Sequence, residues 1–286
     1  AAWFASYQAF INRYAQLAQA FGADQFCVGT ELSATESRAN DWRTAIAAIR
    51  SRYSGPLTYA ASHNSATDIA WWDAVDYIGM DIYYPLTSKN DPTLAELKTA
   101  WQPYSATLAS LAAAWNKTIL FTEIGYRSQD GANQHPWDWQ VGGTVDLQEQ
   151  ADTYQAVFET IYSQPWLAGM YWWSWGVDPF EGGECDDGYT PHDKPAEDIL
   201  RLWYGAPPRP RPPQPEPDYG RTLKVYGDEL GSGWEDWSWN STRILTATDQ
   251  VFSGTQAISI TFQSGGGLSL HHIPISVTPY YWLEFH

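Results

Sequence analysis

Basic residues are scarce in this sequence. Sixteen Lys and Arg stand against 33 Asp and Glu, a formal net charge of −17 over 286 residues. So acidic a surface repels phosphate backbones, so neither nucleic acid nor an anionic membrane is expected as a partner. Cysteine is nearly missing. Cys27 and Cys185 cannot make a disulfide framework, and no base-and-orienter set suggests a thiol nucleophile. Cys27 reads as a buried strand residue. No run of 18 apolar residues exists, so nothing reads as a membrane span. The chain has no G-x-G-x-x-G after a strand and no G-x-x-x-x-G-K-[ST], which removes both nucleotide-binding fingerprints. The acidic loop 178–194 lacks the D-x-D-x-D-G spacing of a calcium loop. It reads as a solvated loop over a cleft, and no metal or organic cofactor is expected. The chain opens Ala-Ala-Trp, without an initiator Met or a signal peptide, so a processed or cut chain is expected.

What is abundant is aromatic. Seventeen Trp and 18 Tyr exceed the needs of a core of this size. Some of these rings are expected to line a surface that stacks on flat apolar faces, such as those of sugars. Apolar residues make up 44% of the chain, enough for a sizeable core.

The clearest boundary is 206–218. Seven of the eleven residues from 207 to 217 are proline, a semi-rigid spacer that admits neither helix nor sheet interior. Before it, helical and strand patterns alternate. Apolar strands are expected at 25–32, 57–63, 76–84, 118–126 and 168–177. Helices are expected at 6–22, 40–53, 93–115 (with a kink at Pro103), 145–164 and 195–204. In the first helix Tyr7, Phe10, Ile11, Tyr14, Leu17, Ala18 and Phe21 share a face. This alternation predicts a parallel α/β sheet, and without nucleotide fingerprints the expected fold is a (β/α)8 barrel over 1–205. Only five strands are counted where eight are needed, so the barrel is expected to be incomplete, with three strands before Ala1. Residues 219–286 lose helical periodicity. Short strands at 223–226, 243–247, 257–262, 268–271 and 281–285, parted by glycine turns, predict part of a β-sandwich.

Two glutamates stand out. Glu31 ends CVGTEL and Glu123 ends ILFTEIGY, both after a Thr and both at the C-terminal end of a strand, where barrel enzymes place reacting groups. Strand alternation groups Cys27, Gly29 and Glu31 on one face and Ile119, Phe121 and Glu123 on another. If both faces point inward, two carboxyls meet at one mouth, as glycoside hydrolysis needs. In MYWWSWG, Trp173 and Trp175 share one face and Trp172 and Ser174 the other; one face must pack against helices, so not all three Trp are sugar platforms, and Trp175, the outermost, is the foremost candidate, with Trp173 beside it. IGMDIYY places Asp81 and Tyr83 together, and the Tyr83 hydroxyl can reach a nucleophilic carboxylate. His63 and Trp137 are further candidates for the lining of the site.

With VGTEL (28–32), IGMDIYYPL (78–86), FTEIGYRS (121–128) and GMYWWSWG (169–176) in this order, the chain resembles the retaining (β/α)8 glycoside hydrolases of clan A. Within that clan it is most similar to glycoside hydrolase family 113, chiefly endo-β-1,4-mannanases. The resemblance implies that these segments are strands four, six, seven and eight. It implies Glu31 as acid/base, Glu123 as nucleophile, and Tyr83 and Trp175 as the strand-six and strand-eight aromatics. The clan commonly has Asn before the acid/base, and this chain has Thr30. A polysaccharide or oligosaccharide substrate and secretion follow as expectations. The alternatives are a β-glucanase or xylanase of the same clan, or a carbohydrate-binding protein without catalysis. The segment 219–286, with GWEDWSWN and GGLSLHH, looks like a carbohydrate-associated module.

Overall fold

A computed structural model of the chain describes residues 2–140, 142–178, 181–205, 225–226, 228–248 and 255–272. The chain divides into two compact units, residues 1–209 and 210–286. The proline-rich segment 206–218 lies outside the described residues.

The first unit runs α1 (Ala2–Phe21), β1 (Phe26–Thr30), a single turn α2 (Ser33–Glu36), α3 (Ala39–Arg50), β2 (Leu57–Ser62), β3 (Tyr77–Ile82), α4 (Leu94–Trp115), β4 (Ile119–Ile124), α5 (Leu147–Thr160), β5 (Leu167–Trp172) and α6 (Pro195–Trp203). The five strands form one sheet in the order β1-β2-β3-β4-β5, and every neighbouring pair is parallel. Four of the strands sit within segments expected from the sequence, and β5 begins one residue before its expected segment and ends at Trp172, short of 177. Apolar β-branched and aromatic runs of this length are what a sheet face covered by helices requires.

Helix boundaries follow local chemistry. Thr93 and Glu96 form a reciprocal capping box at the start of α4, and Asn116 closes it in the left-handed region at φ 50°. Pro103 sits inside α4, which continues through it as one element. Asp146 caps α5 by accepting from the Gln148 and Glu149 N–H groups.

One face of the sheet makes the core. Val28, Tyr59, Ile78, Met80, Ile119 and Phe121 pack against Trp42, Ile46, Trp101, Leu108 and Val157 of the helices. Trp42 and Trp71 stack at 4.8 Å within it. The opposite face is polar. Cys27, Thr58, Ala60, Asp81, Thr122 and Tyr171 border a cavity of about 440 Å³ there.

Three expectations need correction. Cys27 is exposed, because its strand turns it to the polar face. Helix α1 buries Phe4, Ile11 and Ala15, while Phe10, Tyr14, Leu17 and Phe21 are exposed, Phe21 at 85%. Its apolar stripe is wider than the surface that β1 and α3 offer it. The third correction concerns strand faces. Gly29 lies away from Cys27: a Cβ there would meet the Tyr7 hydroxyl at 2.9 Å and the Trp42 ring at 3.1 Å, on the helix side. Ile119 and Phe121 are in the helix-covered core, whereas Glu123 is not. Both departures have one cause. The β1–β2 register slips between Cys27 and Thr30, and the β3–β4 register slips between Met80 and Asp81, where Phe121 and Glu123 are the partners. An extra residue in a strand reverses the facing of all that follows.

The second unit holds β6 (Trp234–Asp236) paired antiparallel with β9 (Leu270–His272), and β7 (Trp239–Ala247) paired antiparallel with β8 (Ala257–Gly267). Its described residues are strands and turns. Among the described residues these strands form two two-stranded ribbons. Gly265 to Gly267, expected as a turn, end β8 instead. Trp239 lies across Gly267, where a Cβ would come within 2.6 Å of its ring. Of the expected strand 223–226, residues 223 and 224 lie outside the described residues, and Tyr226 makes an isolated bridge to Leu230. The expected strand 281–285 lies outside the described residues. Among the described residues no helix is long and apolar enough to cross a membrane.

Candidate active site

Glu31 follows the last residue of β1 and takes a left-handed backbone, φ 48°. A non-glycine residue holds that conformation only when its surroundings impose it. Here its N–H donates to the Ala60 carbonyl at 2.8 Å. The next N–H, of Leu32, donates to the Tyr59 hydroxyl at 2.8 Å, and that hydroxyl donates to buried Glu36 at 2.7 Å. The Glu31 side chain is exposed. Glu36 and Tyr59 were not singled out from the sequence, although they fix the chain on both sides of Glu31. Their signal is weak, an acid and a Tyr 23 residues apart.

Glu123 stands on β4 opposite Asp81 of β3. Thr122 and Glu123 are consecutive, yet both line the cavity. That is the consequence of the register slip, since regular alternation would send one of them to the helices. The Tyr83 hydroxyl donates to Glu123 Oε2 at 2.8 Å. Burial pushes the Glu123 carboxyl up, the Tyr83 hydrogen bond pulls it down, and the Glu31 charge raises it again. Burial and the neighbouring Glu123 keep the Tyr83 phenol protonated. The chain beyond Glu123 must pass close to β5. At Gly125 a Cβ would lie 2.1 Å from the Trp173 carbonyl, so only glycine fits.

Asp81 is 1% exposed. Its Oδ1 accepts from the Thr122 hydroxyl at 2.6 Å, and its Oδ2 is buried without a partner. Burial pushes its carboxyl up to about 7, opposed by Thr122 and helped by Glu123 and Glu31.

The remaining candidates lie in other groups. His63 packs edge-on against Tyr84 at 5.0 Å and faces Trp137 at 6.3 Å. Burial lowers the His63 pKa, opposed by its hydrogen bond to the Asp81 backbone. Trp173 and Trp175 follow β5 and are 47% and 54% exposed. The Trp173–Ser174 peptide is cis. Trp175 lies 5.3 Å from the His192 ring, while Trp172 stacks on Tyr154 of α5 at 3.8 Å. None of His63, Trp137, Trp173 and Trp175 lines the cavity that Asp81 and Glu123 share.

The acidic loop is anchored rather than merely solvated. Lys194 is fully buried and donates to Asp186 at 2.6 Å, Ser128 Oγ at 2.7 Å and the Gly188 carbonyl at 3.1 Å. Arg127 pairs with Asp187 at 2.6 Å. This brings Tyr189 to 6.5 Å from the Tyr83 ring, with its hydroxyl bonded to the Pro136 carbonyl at 2.7 Å.

Parallel β/α units with glutamates at C-terminal strand ends are the site plan of the (β/α)8 enzymes. Residues 1–194 match the model of glycoside hydrolase family 113, a (β/α)8 family, and the chain belongs to that family. Among solved structures it is similar to the family 113 β-mannanase of Alicyclobacillus acidocaldarius in complex with ManMIm. Identity there is 34% and the TM-score 0.63, over 71% of this chain and 62% of that one. It is also similar to a family 113 β-1,4-mannanase solved as a complex, at 30% identity and TM-score 0.63, over 72% of this chain and 63% of that one. A family 113 β-1,4-mannanase structure superposes with TM-score 0.64 at 30% identity, with the same coverage of 72% and 63%. The chain thus spans 62–63% of the length of these solved relatives. No curated protein matched it.

Proposed function

We propose that this chain carries the acid and the nucleophile of a secreted, endo-acting, retaining β-glycoside hydrolase whose substrate is β-1,4-mannan. The observation that carries the reading is the Glu123 carboxylate held by Tyr83 beside a cavity, with Glu31 near enough to raise it. In the reaction, protonated Glu31 gives its proton to the leaving glycosidic oxygen while Glu123 Oε attacks the anomeric carbon. The C–O bond breaks and a glycosyl ester forms on Glu123. Glu31, now ionised, takes a proton from water, whose oxygen displaces Glu123 and restores the starting state with net retention. Retention needs the two carboxyls roughly 5–5.5 Å apart. Exposed Trp173 and Trp175 supply stacking surface for sugar rings. Residues 219–286 are read as an accessory carbohydrate-associated unit, supported by exposed Trp237 stacked on His271 at 3.6 Å.

Mannan preference rests on the family and its mannanase neighbours. Reducing-sugar release is expected to be greater on mannan than on cellulose or xylan. A higher rate on cellulose or xylan than on any mannan refutes the substrate.

Tyr83→Phe tests how Glu123 is kept ionised. Removing the hydroxyl removes what lowers the Glu123 pKa, so Glu123 will protonate at higher pH. The acid limb of kcat/KM is expected to move to higher pH, with the largest loss of activity on the acid side. An unmoved acid limb contradicts that role.

A further inference from the structure

Asp81 is a buried carboxyl that the double displacement does not use. It sits directly across the ladder from Glu123. One oxygen is fixed by Thr122, the residue at the β4 irregularity. The other is buried and meets no donor. An ionised carboxylate in that setting has an unsatisfied charged oxygen, whereas a protonated one does not. The titratable groups around it are Cys27 of β1 and Glu31 beyond it, His63 just past β2, whose backbone N–H donates to the Asp81 carbonyl at 3.1 Å, Glu123 of β4, Tyr171 of β5 and Tyr83 two residues on. Strand β2 presents only Thr58 and Ala60 to the cavity. Burial disfavours the cationic form of His63, which meets the Asp81 backbone and not its carboxyl, and none of the other groups is a cation, so no partner compensates a charge on the Asp81 carboxyl.

We propose that Asp81 is a positioning residue for Glu123: its hydrogen bond to Thr122 pins the irregular turn of β4 that carries the Glu123 carboxyl into the cavity, and its buried second oxygen holds a proton. This rests on Glu123 being the nucleophile. The rise of the Asp81 carboxyl to about 7 agrees with it. A neutral Asp81 keeps a second negative charge away from a site that works by one anion and one acid.

Two measurements test it, one independent of turnover. In the full chain labelled with 13C-aspartate, the carboxyl signal lost in Asp81→Asn is that of Asp81. Its midpoint is expected near 7, and a midpoint below about 5, the ordinary range for Asp, overturns the proposal. In 13C-glutamate-labelled chain, Asp81→Leu is expected to raise the Glu123 midpoint by freeing it from Tyr83, while Asp81→Asn, which keeps an acceptor for Thr122, leaves it in place. A Glu123 midpoint unmoved in Asp81→Leu also overturns the proposal. Kinetics give the second measurement, with circular dichroism confirming the fold of each variant. Asp81→Leu is expected to lower kcat by about 100-fold with KM nearly unchanged. Thr122→Val should act in the same direction, and the double variant should be no worse than the poorer single. Asp81→Asn should stay within about threefold of the parent below pH 6. Parent kcat in Asp81→Leu, or losses that multiply in the double variant, would refute the positioning role. If Glu123→Ala keeps the parent's rate, the nucleophile assignment fails, and the two titrations still decide whether Asp81 is protonated and whether it places Glu123.

Discussion

Glu123→Ala will lose at least about 10⁴-fold in kcat, and activated aryl glycosides will not rescue it. The covalent step needs a carboxylate oxygen in line with the anomeric carbon, and no other group stands ready to take its place. Asp81, across the ladder, is buried and bound to Thr122. Tyr83 would lose its acceptor and keep its proton, since burial holds the phenol well above its usual range. Turnover of a dinitrophenyl glycoside decides the matter, with circular dichroism as the control for folding. A residual rate above about one hundredth of the parent contradicts the assignment, because general-acid and binding effects cannot replace a missing nucleophile.

Glu31→Ala should fail differently. Its loss should reach about 10²–10⁴-fold on polysaccharide, where the leaving alkoxide needs a proton, and shrink sharply on dinitrophenyl glycosides, whose leaving group departs unaided. Azide sharpens the contrast. With Glu31→Ala the glycosyl ester still forms on Glu123, and azide, needing no base, displaces it to give the β-azide. With Glu123→Ala the small anion fits the space left by the carboxylate and gives the α-azide. The reverse pattern would exchange the two roles. Uniform losses on every leaving group would make Glu31 a positioning residue only.

These two residues were legible because their signal is local. Each ends an apolar strand, and strand ends are where a β/α sheet exposes chemistry. The five strands were legible for the same reason, since periodicity and bounding turns lie within a few residues. Facing was not legible beyond Cys27 in β1 and beyond Phe121 in β4. A register slip of one residue has no composition signature, yet it moves Gly29 to the helix side and frees Glu123 from the face of Phe121. Had strict alternation held, Glu123 would lie with Phe121 among the helices. The anchoring of the acidic loop was hidden for another reason. A lysine near many acids reads as solvated, and only the fold shows that Lys194 is buried on Asp186, Ser128 and Gly188. The exposed stripe of α1 failed because a helical wheel gives the width of an apolar face but not the width of what covers it.

The central claim is that Glu123 becomes covalently linked to the sugar. A 2-deoxy-2-fluoro-β-mannosyl fluoride forms that link quickly and breaks it slowly, since fluorine destabilises the charge-developing second step while fluoride leaves readily in the first. Mass spectrometry of the peptides after inactivation reads the site directly. One fluorosugar per chain is predicted, on the peptide containing Glu123, and none in Glu123→Ala. A label on Glu31, or turnover of the reagent with inversion and no label at all, would contradict the account.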